Sequence, residues 1–318
     1  VNSTLAGTAA ADVFIGSELG EAYDGVGGGD VLHGNGGDDA LFAVNGLLDG
    51  GSGDDTLSGR SSPTTISGGS GRDTYEHDQA GIAAVDVTLT DAALTGDGTH
   101  PLTSVEVVRY RGGIAADRLD ARTFTGDVSF EGRPGDDTFL GGTGEDTLVA
   151  EQVAGTATLT DATLVGPAGP NAIGTDTIQF VERARITGNS TADTLNASGF
   201  SGSATLVGGG GIDVLTGGTG EDELEPGDGA DVVNGGASGG DVVVGQGSGT
   251  LTLTPTTLLE DGATDALTGI EDARLSGLAA ADTITSTAFG GDVTVVASVG
   301  SDSVAVGAGA NDVLRVAG

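Results

Sequence analysis

Asp213, Asp222 and Asp231 stand nine residues apart in three blocks laid end to end over residues 208–234: GGGGIDVLT, GGTGEDELE and PGDGADVVN. Each block opens with small or turn-forming residues and carries an acid at its sixth position. Each places one aliphatic residue at its eighth, namely Leu215, Leu224 and Val233. Carboxylates at a fixed repeat distance are hard oxygen donors, and glycine lets backbone carbonyls close on an ion. Calcium takes six to eight such oxygens, from carboxylates and carbonyls together. The chemistry offered by this spacing is cation coordination.

A period of nine suits neither a helix nor a hairpin, but it fits one half-coil of a solenoid, a turn followed by a short strand. Two half-coils make a coil, so acids eighteen apart stack on one edge at about one strand spacing, ~4.8 Å. Bare carboxylates at that distance repel by roughly 1 kcal/mol in water and several-fold more near a protein surface; a dication between them reverses the sign. The alternative, a disordered Gly-rich linker, does not account for the strict phasing of acid and aliphatic positions.

The same pattern recurs along the chain. Residues 7–42 form four blocks with acids Asp12, Glu21, Asp30 and Asp39, the first two lacking the double glycine. Residues 43–49 break the register by two. The blocks GGSGDDTLS, GRSSPTTIS and GGSGRDTYE follow, with Asp55 and Asp73 on one edge and Thr64 where the other edge expects an acid. From about Asp86 a longer unit occurs three times, with LTDAALTG, LTDATLVG and LTPTTLLE near its start and Phe124, Phe200 and Phe289 near its end. Its acids run Asp117 to Asp137, Asp193 to Asp213 and Asp282 to Asp302, twenty apart each time, as a coil of eleven plus nine would give. Asp146, Asp241 and Asp312 complete the set. The candidate carboxylates are therefore Asp12, Asp30, Asp39, Asp55, Asp73, Asp117, Asp137, Asp146, Asp193, Asp213, Asp222, Asp231, Asp241 and Asp282, with Glu21, Asp302 and Asp312 weaker. Loop carbonyls around Gly50, Gly53, Gly68, Gly71, Gly141, Gly144, Gly208, Gly211, Gly217 and Gly220 join them.

The GGxGxDxUx nonapeptide resembles the RTX family of hemolysin-type calcium-binding repeats. The resemblance is clearest at 25–42, 50–58, 68–76, 132–149 and 208–234. It implies an all-β, right-handed parallel β-roll or β-helix with several bound Ca2+ ions. It also implies an extracellular or cell-surface location reached by type I secretion. The expected organisation is a nonapeptide array at 1–85 and three long units at 86–155, 156–249 and 250–318. The last unit is degenerate or capping. Together they are expected to form one continuous solenoid about 75–85 Å long.

Composition narrows the rest. A net charge of −36 excludes a nucleic-acid binder and disfavours an anionic membrane surface. With no Cys there is no disulfide framework or thiol chemistry, and without Lys there is no P-loop. No signal peptide or membrane-spanning run opens the chain, and Val1 points to a start inside a longer protein. Paired acids such as Asp54–Asp55 and Glu221–Asp222 lie in adjacent repeat positions, which favours coordination over acid–base catalysis. Glu106/Arg109, Glu182/Arg185 and Glu271/Arg274 read as structural ion pairs. His33, His77 and His100 share no spacing, and no nucleophile motif accompanies them, so no enzyme is expected.

Burying one aliphatic side chain per nine residues does not offset the entropy of ordering them. Metal bound only by the folded state closes that gap, so the acid-rich arrays 25–76 and 208–245 are expected to be disordered without calcium. Three functions follow: a calcium-stiffened structural or adhesive segment, whose partners are calcium and either itself or a surface or matrix component; a secretion and folding module beside an enzyme or toxin; and an ice- or glycan-binding solenoid.

Overall fold

Strand and turn alternate along the chain because β-branched and aliphatic residues alternate with small polar ones between glycine-rich bends. The computed structural model describes residues 4–59, 63–81, 83–167, 173–237, 239–278, 281–307 and 309–316. The expected block GRSSPTTIS therefore lies partly outside the described residues. Within them there are 35 strands and no helix, in an all-β, parallel-rich fold. Every second strand residue turns inward, as in Gly29–Gly36 and Ser203–Gly210.

Two compact units divide the chain. The first comprises residues 1–149 and 173–181; the second comprises 150–172 and 182–318. In the first unit, one sheet stacks Tyr23 on Leu41, Leu41 on Leu57 and Leu57 on Tyr75, all parallel. The steps are eighteen, sixteen and eighteen residues, so the two-residue register break at 43–49 is taken up as one short coil. A second parallel stack runs Phe14, Leu32, Leu48, Ile66 and Leu102, and a third runs Val87, Leu119, Phe139 and Ile178. The interior is a file of these side chains, completed by stacked rings: Tyr110 on Phe130 at 6.0 Å and Phe130 on Phe139 at 4.9 Å.

The second unit repeats the plan. Ala157, Leu195, Leu215, Val233 and Leu267 pair in parallel order. So do Leu206, Leu224 and Val243, with Ala273 and Val293 beyond them.

Each long unit also contains a feature absent from a plain coil. Strand Asp86–Thr90 reverses into Ala93–Thr95, antiparallel, and Thr156–Thr160 does the same with Thr163–Val165. Thr250–Leu253 reverses into Thr257–Glu260. The cause is local. The Thr90 hydroxyl accepts the N–H groups of Ala92 and Ala93, as Thr160 does for Ala162 and Thr163, and Thr254 for Thr256 and Thr257. A threonine side chain that satisfies two successive amides turns the chain back on itself before a coil can be completed.

The reversal is followed by a tight packing point shared by all three long units. Gly126, Gly202 and Gly291 press against the carbonyls of Glu106, Glu182 and Glu271, and an added Cβ would lie under 3.0 Å from each. Gly202→Ala should therefore destabilise the calcium-loaded protein by about 1–3 kcal/mol through a clash with fixed backbone. Gly210→Ala, whose nearest atom would be 3.6 Å away, should be neutral or stabilising by up to about 1 kcal/mol. Urea denaturation of the two variants in saturating calcium checks the contrast.

Candidate metal centre

The sixth-position acids sit where a turn enters a strand, and each reaches back to the preceding coil. In the first unit, Glu21 N–H donates to Asp39 Oδ1 at 2.7 Å, Asp39 N–H to Asp55 at 2.8 Å, and Asp55 N–H to Asp73 at 2.9 Å. Asp73 N–H continues the column to Glu106 at 2.9 Å. On the other edge Asp12 N–H donates to Asp30 at 3.0 Å, and that column then passes Gly46 and Thr64. A third column joins Asp117, Asp137 and Asp176. Asp146 accepts from Val128 N–H instead.

The second unit holds Asp193, Asp213, Asp231 and Asp265 in one column. Asp222, Asp241 and Glu271 form another. Asp282 donates to Asp302 at 3.0 Å, and Asp312 accepts from Val293 N–H. The carboxylates are thus stacked and also stitched, each to the backbone of the coil before it. Asp12, Glu21, Asp302 and Asp312 are half-buried, whereas the other predicted acids are at most 3 % exposed.

The second oxygen divides them into two classes. In Asp12, Glu21, Asp117, Asp146, Asp193 and Asp222 it accepts the N–H of the residue after the block's first glycine: Thr8, Ser17, Gly113, Gly142, Asn189 and Gly218. In Asp30, Asp39, Asp55, Asp73, Asp137, Asp213, Asp231, Asp241 and Asp282 it is buried with no hydrogen-bond partner. A backbone torsion separates the classes. In the open blocks the second residue is left-handed: Val26, Asn35, Gly51, Gly69, Arg133, Gly209, Gly227 and Gly236. None of the six closing residues is. Asp282 is open although Leu278 is not left-handed, and its loop lies partly outside the described residues.

A left-handed second residue means that the peptide before it is turned over, so its N–H leaves the carboxylate and the first residue's carbonyl swings toward the preceding coil. Gly50 O and Gly68 O accordingly approach the Cα of Gly34 and Gly50, beside the free oxygens of Asp39 and Asp55. Pro226 O meets Asp213 in the same way at Gly208. A Cβ on any of these glycines would fill the space under 3.0 Å from both oxygens. Carboxylate and carbonyl oxygens converge there with no N–H among them, a donor set that suits calcium and repels anything but a cation.

The metal-free carboxylates respond as buried acids do. Burial first, then neighbouring acids, pushes Asp137 up to about 8 and Asp176 to about 7. Asp73, Asp213, Asp241 and Asp265 rise to about 6 from the same causes.

Four acids of the columns escaped the block pattern. Asp176 and Asp265 enter their columns from the segments after a chain reversal, where no fixed period leads to them; only the acid–x–aliphatic steps Asp176–Ile178 and Asp265–Leu267 mark them. Glu106 and Glu271 serve as column members by accepting backbone N–H groups. This corrects their reading as partners of Arg109 and Arg274. Residues three apart on a strand face opposite sides, and those arginines instead pair across strands with Glu76 and Glu223, each at 3.0 Å. His77 and His100, which share no spacing in the sequence, meet in the first unit with ring centres 4.8 Å apart.

A parallel roll whose edges stack carboxylates against carbonyls is a calcium-binding repeat scaffold. The family model of the RTX calcium-binding nonapeptide repeat matches four stretches of the chain, residues 23–46, 49–79, 125–150 and 198–233. No curated protein matches the chain.

The raised carboxyl values fix a sign. A folded state that holds protons more tightly than the unfolded chain has its full contribution below the ordinary carboxylate value near 3.8 and loses it as pH rises through about 6 to 8. Metal-free protein should therefore hold more β structure at about pH 5 than at about pH 8. Calcium should show the reverse order, binding more tightly at the higher pH because it displaces those protons. Far-UV circular dichroism in chelator and calcium titrations at the two pH values check both halves.

Proposed function

We propose that this chain is a calcium-gated structural segment of a secreted or surface protein, which folds and stiffens where calcium is abundant. The observation that carries the reading is the row of buried, unpartnered carboxylate oxygens along the coil edges. Each is costly while it faces another acid and becomes a stabilising contact once a cation sits beside it. In this reading the open class supplies the ions' carboxylates: Asp30, Asp39, Asp55, Asp73, Asp137, Asp213, Asp231, Asp241 and Asp282. Turned-over carbonyls such as Gly50 O and Gly68 O complete the donor set. The closed class, with both oxygens hydrogen-bonded, holds coils together without metal.

The calcium dependence supports export-coupled folding, since RTX repeats are typical of secreted proteins and cytosolic calcium is low. Type I export and an adhesive or matrix partner belong to this proposal. A segment stiffened by metal can transmit force, which suits a structural role.

Two measurements test it. Far-UV circular dichroism of metal-stripped protein should show a cooperative gain of β signal with calcium and none with magnesium. Pulled at both ends, the calcium-loaded chain should resist, and in chelator it should extend without a resolved unfolding force. Equal resistance in both conditions sinks the structural reading.

The division of sites has its own test. Asp231→Asn should lower the calcium stoichiometry measured by calorimetry. Asp222→Asn should keep the stoichiometry and destabilise by about 1–3 kcal/mol, because Asn keeps one acceptor oxygen where Asp222 takes the N–H groups of Ala204 and Gly218 on separate oxygens.

A further inference from the structure

The first unit buries a second donor cluster of different chemistry. His77 lies on strand Thr74–Asp78, His100 on strand Thr99–Thr103, and Asp97 in the bend before it. Both imidazoles are fully buried. Their Nε2 atoms lie 2.7 and 3.9 Å from Asp97 Oδ2, and the ligand atoms of all three residues fall within 4.8 Å of one another. His100 Nε2 and Asp97 Oδ1 have no hydrogen-bond partner.

The outer faces of the rings are held. His77 Nδ1 lies 3.2 Å from the Gly59 carbonyl, which can only accept, and 2.8 Å from the Tyr75 hydroxyl. The same hydroxyl lies 3.2 Å from His100 Nδ1. A proton on each Nδ1 satisfies these contacts and leaves both Nε2 lone pairs facing a carboxylate. Gln79 brings one more polar group, its amide nitrogen approaching both His77 Nε2 and Asp97 Oδ2. Two lone pairs and a carboxylate converging in a buried space repel one another unless a proton or a cation joins them. The registers sharpen the point. Leu102 pairs with Ile66, so His100 continues the edge column of Asp30, Gly46 and Thr64 in a sixth-type position. In the other two long units that role falls to Asp176 and Asp265.

We propose that His77, His100 and Asp97 form a binding site for one divalent transition-metal ion of the zinc class, separate from the calcium edges. Imidazole nitrogens suit such an ion, whereas calcium takes oxygen. Bonds of about 2.0–2.2 Å place tetrahedral ligands about 3.3 Å apart, which the cluster reaches by small side-chain shifts. Tyr75 and the Gly59 carbonyl supply the outer hydrogen bonds that orient ligating histidines.

The test uses the full chain saturated with calcium, titrated with zinc chloride by calorimetry and with cobalt(II) by visible absorption. One zinc equivalent should bind in the continued presence of excess calcium, and cobalt should give the intense bands of a tetrahedral site. His77→Gln and His100→Gln should each weaken zinc at least about tenfold, and Tyr75→Phe about 10–100-fold. His33→Gln, at a residue paired with Asp49 elsewhere, should change nothing. Zinc displaced by calcium, or bound equally by the His77 and His100 variants, overturns the site. Should those variants fail to fold in calcium, X-ray absorption of the zinc-loaded natural chain decides: two imidazole ligands support the site and fewer overturn it.

Discussion

A carboxylate that gives one oxygen to the backbone of the preceding coil is the contact on which this structure depends. It fixes the acid at the mouth of its strand, sets coil on coil, and leaves the second oxygen to be satisfied by something else. At low dielectric a stack of such groups repels strongly, and burial forbids water from screening it. Only a donated hydrogen, a proton or a cation resolves the second oxygen. The chain uses the first in the closed blocks and keeps the open blocks for the others. Stability, pH response and metal dependence are therefore three readings of one atom.

The switch between closed and open is a single peptide plane. Gly50–Gly51 and Gly141–Gly142 are the same dipeptide, yet Gly51 is left-handed and Gly142 is not. Gly142 is pressed against the carbonyl of Phe124, as Gly218 is against that of Phe200, at the turn that ends each of those long units. The orientation of this peptide sets whether an acid's second oxygen meets an N–H. Val26, Asn35 and Arg133 hold left-handed torsions that glycine would adopt more cheaply. That these blocks keep the open form without glycine indicates that packing between coils imposes it.

What the sequence makes legible is what the period of nine encodes. The acid at the sixth position and the aliphatic residue at the eighth give the parallel register, the inward files such as Leu32 on Leu48 and Leu41 on Leu57, and the edges on which the acids stack. The period is silent wherever the chain leaves it. Thr90, Thr160 and Thr254 reverse the backbone by side-chain hydrogen bonds that no hydrophobic alternation reports. Asp176 and Asp265 rejoin the columns after those reversals, so their sequence distance from Asp137 and Asp231 carries no repeat signal. Peptide orientation is equally hidden, because glycine permits both states and leaves the choice to its neighbours.

The histidine cluster shows how such a scaffold can change its chemistry without changing its fold. A coil edge presents one side chain per turn at a fixed height, whatever that side chain is. Replacing an acid by His100 in that position, with His77 and Asp97 brought alongside by the chain reversal, exchanges hard oxygen donors for imidazole while the register of Leu102 on Ile66 is kept. The backbone sets where a donor stands, and the residue type sets which ion it can hold. A repeat that tolerates Asp, Glu, Gly, Thr and His at one structural position is thus a frame on which sites of different affinity and softness stand side by side.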